Sequence, residues 1–121
     1  MTASTLTASK QASIERAVRV LNVIRSCDPL MPMGVARSLL VIAASSGEVS
    51  LKELETAGIS PGATHKHRMY LEAGEGREGT SKSGLGLIVS REDYADGKRY
   101  LLSLSQKGEE LMERLSAAMD A

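Results

Sequence analysis

Apolar residues recur at three- and four-residue steps from about residue 9 to residue 26. This spacing predicts an amphipathic helix. Additional valines widen the apolar face, which predicts that the helix is covered both by its own domain and by a partner subunit. The residues of this face are Ile14, Ala17, Val18, Val20, Leu21, Val23 and Ile24.

Two prolines, Pro29 and Pro32, interrupt the pattern, because neither fits a helix interior. A second helix is predicted over about residues 33–46. Its run from residue 39 to residue 44 is apolar nearly all round, which indicates the central helix of a core. Gly47 follows where a glycine commonly ends a helix.

A capping box begins the next helix. The Ser50 hydroxyl is placed to accept a hydrogen bond from the Glu53 amide, and the Glu53 side chain to accept one from the Ser50 amide. These signals predict a short helix over about residues 51–57, which Gly58 ends.

Ser60 and Pro61 then begin a fourth helix over about residues 61–73. Serine is a frequent N-cap whose hydroxyl accepts a backbone hydrogen bond. Proline fits the first helical position, because its missing N–H costs nothing there. Two short helices joined by so tight a turn are typical of a helix-turn-helix.

The composition changes in residues 74–86, where five glycines and two serines predict a flexible loop. Leu85, Leu87 and Val89 then alternate with Gly86, Ile88 and Ser90, and Tyr100, Leu102 and Leu104 alternate with Leu101, Ser103 and Ser105. This alternation predicts two strands, and the Asp96-Gly97 pair between them is a hairpin turn signal.

Ser105 is placed to cap a last helix over about residues 106–120. The order of elements predicts a mainly α fold with a small β-hairpin, arranged as a winged helix-turn-helix with additional N- and C-terminal helices. Residues 1–8 are small and polar, so we expect a flexible N-terminus before a single domain from residue 9 to residue 121. The terminal helices, 9–26 and 106–120, are expected to serve in dimerisation.

Composition narrows the function classes. Fifteen basic and fifteen acidic residues balance, so overall charge gives no indication of a nucleic-acid partner. Phe and Trp are absent and Tyr occurs three times, which disfavours single-stranded nucleic acid bound by base stacking. Cys27 is the only cysteine, which excludes an intramolecular disulfide and favours a cytoplasmic location. Without an apolar run of about 18 residues or a signal-peptide pattern, neither a membrane span nor secretion is expected.

Residues 33–115 carry a run of motifs in a recognisable order. A core helix ending near Gly47 is followed by Glu-Val-Ser-Leu-Lys-Glu-Leu, then by Gly-Ile-Ser-Pro and a helix. In residues 96–111 a strand, a capping serine and Lys-Gly-Glu-Glu-Leu follow one another. This run resembles the MarR-type transcriptional regulators. The resemblance implies a homodimeric transcription factor that binds a palindromic double-stranded DNA operator and is often released by a small-molecule effector.

A helical wheel divides the fourth helix into two faces. On the inner face, His67 is interpreted as a partly buried, hydrogen-bonded core histidine. The outer face is predicted to enter the major groove, where Lys66 could reach guanine O6 or N7 and Met69 a thymine methyl. The inner face consists of Ala63, Thr64, His67, Tyr70 and Leu71. The residues predicted to contact bases are Gly62, His65, Lys66 and Met69.

Further polar and cationic residues, in the fourth helix, in the glycine-rich loop and in the wing at about residues 85–104, are predicted to contact the DNA backbone. Glu92, Asp93 and Asp96 lie in the same wing, so a solvated hairpin of mixed charge is the alternative for that element. The predicted backbone contacts are Ser60, Thr64, Arg68, Arg77, Lys82, Arg91, Lys98 and Arg99.

The predicted dimer packs the first helix against the last across a two-fold axis. Its interface residues are Ile14, Val18, Leu21, Leu111, Leu115 and Met119. The alternative function is a winged-helix protein-interaction module or assembly adaptor without sequence-specific DNA binding, which the zero net charge and the acidic wing favour.

Catalysis has little support, because the sequence contains no nucleophile elbow and no carboxylate cluster converges by spacing. His65 and His67 lie two residues apart on a helix and diverge by about 200°, so a metal site is not expected either. We therefore expect a protein that is not an enzyme and carries no cofactor.

Overall fold

The chain is mainly α-helical, as the sequence pattern predicts, and its two predicted strands belong to a small three-stranded antiparallel sheet. It divides into two compact units, one formed by residues 32–110 and the other by the terminal segments. The computed structural model describes residues 6–45, 47–72, 84–93 and 99–120. The elements are α1 Ala8–Cys27, α2 Met33–Ala44, β1 Val49–Ser50, α3 Leu51–Thr56, α4 Pro61–Leu71, β2 Ile88–Asp93, β3 Arg99–Leu104 and α5 Gln106–Asp120.

The central helix of the unit formed by residues 32–110 is α2. It packs against α4 and β3, and α3 packs against α4. The sheet has the order β1-β3-β2, so the middle strand pairs antiparallel with both neighbours. The position of α2 follows from its nearly continuous apolar run, as predicted. The most completely buried of the larger side chains are Ser38, Leu39, Leu54, Leu71, Leu87, Ile88 and Leu102.

The predicted capping box begins α3. Ser50 Oγ accepts a hydrogen bond from the Glu53 amide at 3.1 Å, and Glu53 Oε1 accepts one from the Ser50 amide at 2.9 Å. The hydrogen bonds from Ser50, its backbone amide first, lower the pKa of the Glu53 carboxyl. Two backbone amides at the helix start, which have no partner within the helix, are therefore hydrogen-bonded within four residues. This explains why the sequence alone locates the helix.

A Schellman motif ends α3 and sets the tight turn before α4. Gly58 has φ of 106°, and its amide donates to the Glu55 carbonyl at 2.9 Å. The Ile59 amide donates to the Leu54 carbonyl at 3.0 Å, and both of these side chains are buried. Only glycine adopts this left-handed conformation without strain, so the predicted end at Gly58 is confirmed.

Two predicted helix caps are wrong. The backbone is already extended one residue after Ala44, where α2 ends, and Gly47 does not adopt a positive φ. Ser60 is the N-cap residue of α4, but its hydroxyl makes no capping hydrogen bond. Pro61 occupies the first helical position as predicted, so its fixed φ and not a side-chain bond favours the start of α4.

The strand β2 begins later than the alternation predicts. Residues 85–87 donate backbone hydrogen bonds to the carbonyls at the end of α4, and the strand starts only at Ile88. Ile88 is consequently buried and Val89 is exposed, although the alternation groups Val89 with Leu87, which is itself buried. The predicted Asp96-Gly97 turn and most of the glycine-rich loop lie outside the described residues.

The other unit contains α1 and the C-terminal part of α5. Arg19 Nε donates to the Ala118 carbonyl at 2.6 Å, and Arg114 Nη2 donates to Ser26 Oγ at 2.8 Å. The side chain of Thr7 caps α1, so helical structure begins within the segment that was expected to be flexible. Within the described ranges, no helix has both the length and the apolar character needed to cross a membrane.

Candidate nucleic-acid interface

The outer face of α4 is the surface on which the predicted base contacts lie. Gly62, His65, Lys66 and Met69 are all exposed, whereas the opposite face packs inward. Lys66 forms no ion pair with any residue that the structure describes. The two faces follow the helical wheel, so the division of α4 predicted from its sequence is confirmed.

Gly62 lies at the start of this face and has open space around it. A Cβ built at Gly62 would meet no heavy atom within 4 Å, so the packing of the chain does not require a glycine there. The Ser60 side chain makes no capping bond, which leaves the first turn of α4 without a side-chain cap. The N-terminus of α4 can therefore approach another molecule closely.

His67 lies between α4 and α2 and is the core histidine that the sequence predicts. Its Nδ1 and Ser38 Oγ are 2.7 Å apart, and Ser38 is fully buried. The ring packs on Gly34, where an added Cβ would lie 3.1 Å from Cε1. Burial, and then the charge of Arg37, hold the pKa of His67 below its ordinary value of 6.5. His67 therefore supports the position of α4 and does not face outward.

Acidification should weaken the fold through His67. Because its pKa is lowered in the folded state, the unfolded chain binds more protons below pH 6.5, and stability must fall as the pH decreases from 6.5 towards the folded-state pKa. Urea unfolding between pH 7.5 and 5.5 measures this slope. His67→Gln should reduce it, whereas the exposed-face control His65→Gln should retain it. Equal slopes in the parent and in His67→Gln would contradict the assignment.

Thr64, predicted to contact a phosphate, is not on the surface. Its side chain is buried at 3% exposure, and its hydroxyl donates to the Pro61 carbonyl at 3.1 Å. The hydroxyl therefore satisfies the backbone of its own helix, and the prediction is corrected. Ser60 remains exposed beside it.

Arg68, predicted to contact a phosphate as well, points into the protein. Its side chain is 11% exposed and forms an ion pair with Glu72 at 3.2 Å. Its guanidinium lies 4.3 Å from the centroid of the Tyr100 ring. These contacts tie α4 to β3, so the structure corrects this prediction also.

Arg91 and Arg99, the described cations of the predicted wing, both pair with acids of the chain. Arg91 Nε and Nη2 donate to the two carboxylate oxygens of Glu48 at 2.6 and 2.7 Å. These hydrogen bonds lower the pKa of Glu48 and raise that of Arg91. Arg99 Nε lies 3.3 Å from Asp93 Oδ2. The other predicted cations, Arg77, Lys82 and Lys98, lie outside the described residues.

The predicted dimer residues divide into two groups. Leu111 and Leu115 are buried within the single chain, so they cannot also form an exposed subunit interface, and the prediction is corrected for these two. The remaining side chains are about half-exposed and leave an apolar stripe on α1 and one residue on α5. They are Ile14, Val18, Leu21 and Met119.

The sequence interpretation missed the partners of Arg68 and Arg91. Glu48 lies 43 residues before Arg91, and Tyr100 lies far along the chain from Arg68, so no local pattern indicates either contact. Only the Arg68–Glu72 pair carries a signal, because residues four apart lie on the same side of a helix. Within the described residues, no group of histidine, cysteine and carboxylate side chains comes together that could hold a metal ion.

Comparison with solved structures shows that this fold occurs elsewhere. The chain is similar to RV1404 from Mycobacterium tuberculosis, with a TM-score of 0.67 and 16% sequence identity, over 99% of this chain and 79% of that chain. At this identity the similarity concerns the fold alone. No protein-family model matches the chain, and neither does any curated protein.

Proposed function

We infer that the chain is a sequence-specific, double-stranded DNA-binding transcriptional regulator of the winged helix-turn-helix type, similar to the MarR regulators. In this proposal α4 enters the major groove and the β2–β3 pair is the wing. The observation that carries the proposal is the outer face of α4, where a glycine, an imidazole, an exposed methionine and an ammonium without an ion-pair partner among the described residues lie together. The Schellman turn before α4 and the packed inner face of α4 hold that surface outward.

Each group on the outer face suits a base edge. A lysine ammonium donates to guanine O6 or N7, and a methionine side chain contacts a thymine methyl. His65 can donate or accept at a base edge, depending on its tautomer. Gly62 allows the uncapped start of α4 to approach the sugar-phosphate backbone, where backbone amides donate to phosphate oxygens.

A homodimer is part of the proposal. The half-exposed Ile14, Val18 and Leu21 recur at four- and three-residue steps along α1, which provides an apolar stripe for a second copy. A two-fold dimer would place two α4 helices on half-sites about one DNA turn apart. Selection of bound duplexes from a random library tests both points, because it reveals the sequence preference and the half-site spacing. If the recovered duplexes shared no sequence preference, the proposal would be contradicted.

Lys66→Ala is expected to weaken binding to the selected duplex by about 5- to 150-fold, since a well-placed base contact contributes about 1–3 kcal/mol. Binding to random duplex should change much less, because a base contact adds little where the base is wrong. Fluorescence anisotropy at fixed salt measures both affinities. Lys10→Ala, an exposed lysine of α1, is the matched control and should bind like the parent. An equal loss on both duplexes would assign Lys66 to phosphate.

A protein-interaction module is the second candidate, and the ion pairs of the wing favour it. To contact phosphates, Arg91 would have to give up its ion pair with Glu48, and Arg99 its ion pair with Asp93. This exchange reduces the net free energy gained on binding DNA. A gel shift at low salt with duplexes taken from around the gene distinguishes the two. Absence of any retained duplex would favour the protein-interaction module.

A further inference from the structure

The guanidinium of Arg68 connects α4 with both strands of the proposed wing. Arg68 Nη1 donates to both carboxylate oxygens of Glu72 at 3.2 Å and lies 3.4 Å from Ser90 Oγ on β2. The guanidinium carbon, Cζ, lies over the ring of Tyr100 on β3, 4.3 Å from its centroid. The Ser90 hydroxyl also donates to Glu72, so the carboxylate is shared between the helix and the strand.

Little of this guanidinium remains available to a phosphate. Nη2 lies 3.4 Å from His65 Nδ1, and Nε is buried without a hydrogen-bond partner among the described residues. Arg68 therefore lies on the helix that is proposed to face DNA, but most of its own hydrogen-bond donors are used inside the protein or covered by it. A guanidinium held over an aromatic ring and paired with a carboxylate cannot be replaced by lysine without loss of these directed contacts.

A second attachment already joins α4 to the strands. The amides of residues 85–87 donate to the carbonyls of Tyr70, Leu71 and Glu72, at distances of 2.8 to 3.3 Å. These bonds hold only the end of the helix and the start of β2. The contacts of Arg68 with Ser90 and Tyr100 lie further along the strands, so the two attachments together define the direction of the strand pair relative to α4.

We propose that Arg68 is a positioning residue that holds the β2–β3 pair at the angle at which α4 and the wing contact one DNA duplex together. The proposal rests on the function proposed above. It assigns no phosphate contact to Arg68, and it makes the contribution of Arg99 to DNA binding dependent on Arg68.

The test is a double-mutant cycle on the selected duplex. Arg68→Lys keeps the charge and should still weaken binding about tenfold, as expected for coupled neighbours. Arg68→Met should lose about as much affinity for the selected duplex. In the parent, Arg99→Ala should reduce the salt slope by about one phosphate contact, whereas in the Arg68→Lys background it should change neither the slope nor the affinity. A loss of stability alone would not remove the effect of Arg99→Ala on the salt slope of DNA binding.

Two outcomes would overturn the proposal: parent-like affinity of Arg68→Lys, whatever the effect of Arg68→Met, or additive effects in the cycle. If the parent shows no DNA preference, the proposed function fails, and hydrogen exchange of the free protein decides the positioning role separately. Arg68→Lys should then accelerate exchange in β2 and β3 while α2 stays protected. Unchanged exchange in the strands would reject the role of Arg68.

Discussion

Replacement of Leu39 by alanine is expected to reduce the free energy of unfolding by about 2–5 kcal/mol. Leu39 is 0% exposed and belongs to α2, which packs against both α4 and β3. The truncation removes apolar contacts and leaves a cavity that elements attached on several sides cannot readily close. A loss of this size would approach the total stability of a small domain, so the variant should be partly unfolded at 37 °C.

Urea denaturation measures this effect, with the slope in denaturant as a check that the same surface is exposed on unfolding. Leu30→Ala removes the same atoms from a side chain that is 84% exposed, and its stability should stay within about 0.5 kcal/mol of the parent. If both variants lost equal stability, the burial of Leu39 and the central position of α2 would be contradicted.

Gly108→Ala is expected to destabilise the chain by at least about 2 kcal/mol, because overpacking against backbone cannot relax easily. An added Cβ at Gly108 would overlap the Leu87 carbonyl oxygen and lie 3.1 Å from Leu104 Cδ2. The Leu87 carbonyl also accepts the Ser105 amide at 3.0 Å, and Ser105 Oγ caps α5 through the Gly108 amide at 3.0 Å. Displacing this carbonyl would therefore disturb the connection from β3 to α5.

Gly62→Ala is the matched control, since Gly62 also lies in the first turn of a helix. Its surroundings are open, so alanine should increase stability by up to about 1 kcal/mol through its higher helix propensity. Thermal unfolding of the two variants should give shifts of opposite sign. A Gly108→Ala variant as stable as the parent, or more stable, would contradict the close approach of Gly108 to Leu87.

The sequence alone determined the helices and the turn between α3 and α4. The capping box at Ser50 and Glu53, the left-handed Gly58 and the proline at the start of α4 act within a few residues, so their chemistry can be recognised without the fold. The faces of α4 follow from the helical period, which is also local. This is why the outer face and the core position of His67 were predicted correctly.

The tertiary structure decided which polar groups are available to a partner. Arg68 and Arg91 look alike in the sequence as exposed cations, yet one is covered by Tyr100 and the other is paired with Glu48. The start of β2 was likewise decided by carbonyls at the end of α4. These contacts join residues far apart in the chain, so no periodicity in the sequence indicates them. Local chemistry determines the elements, whereas the pairing of distant charges determines which surface can bind.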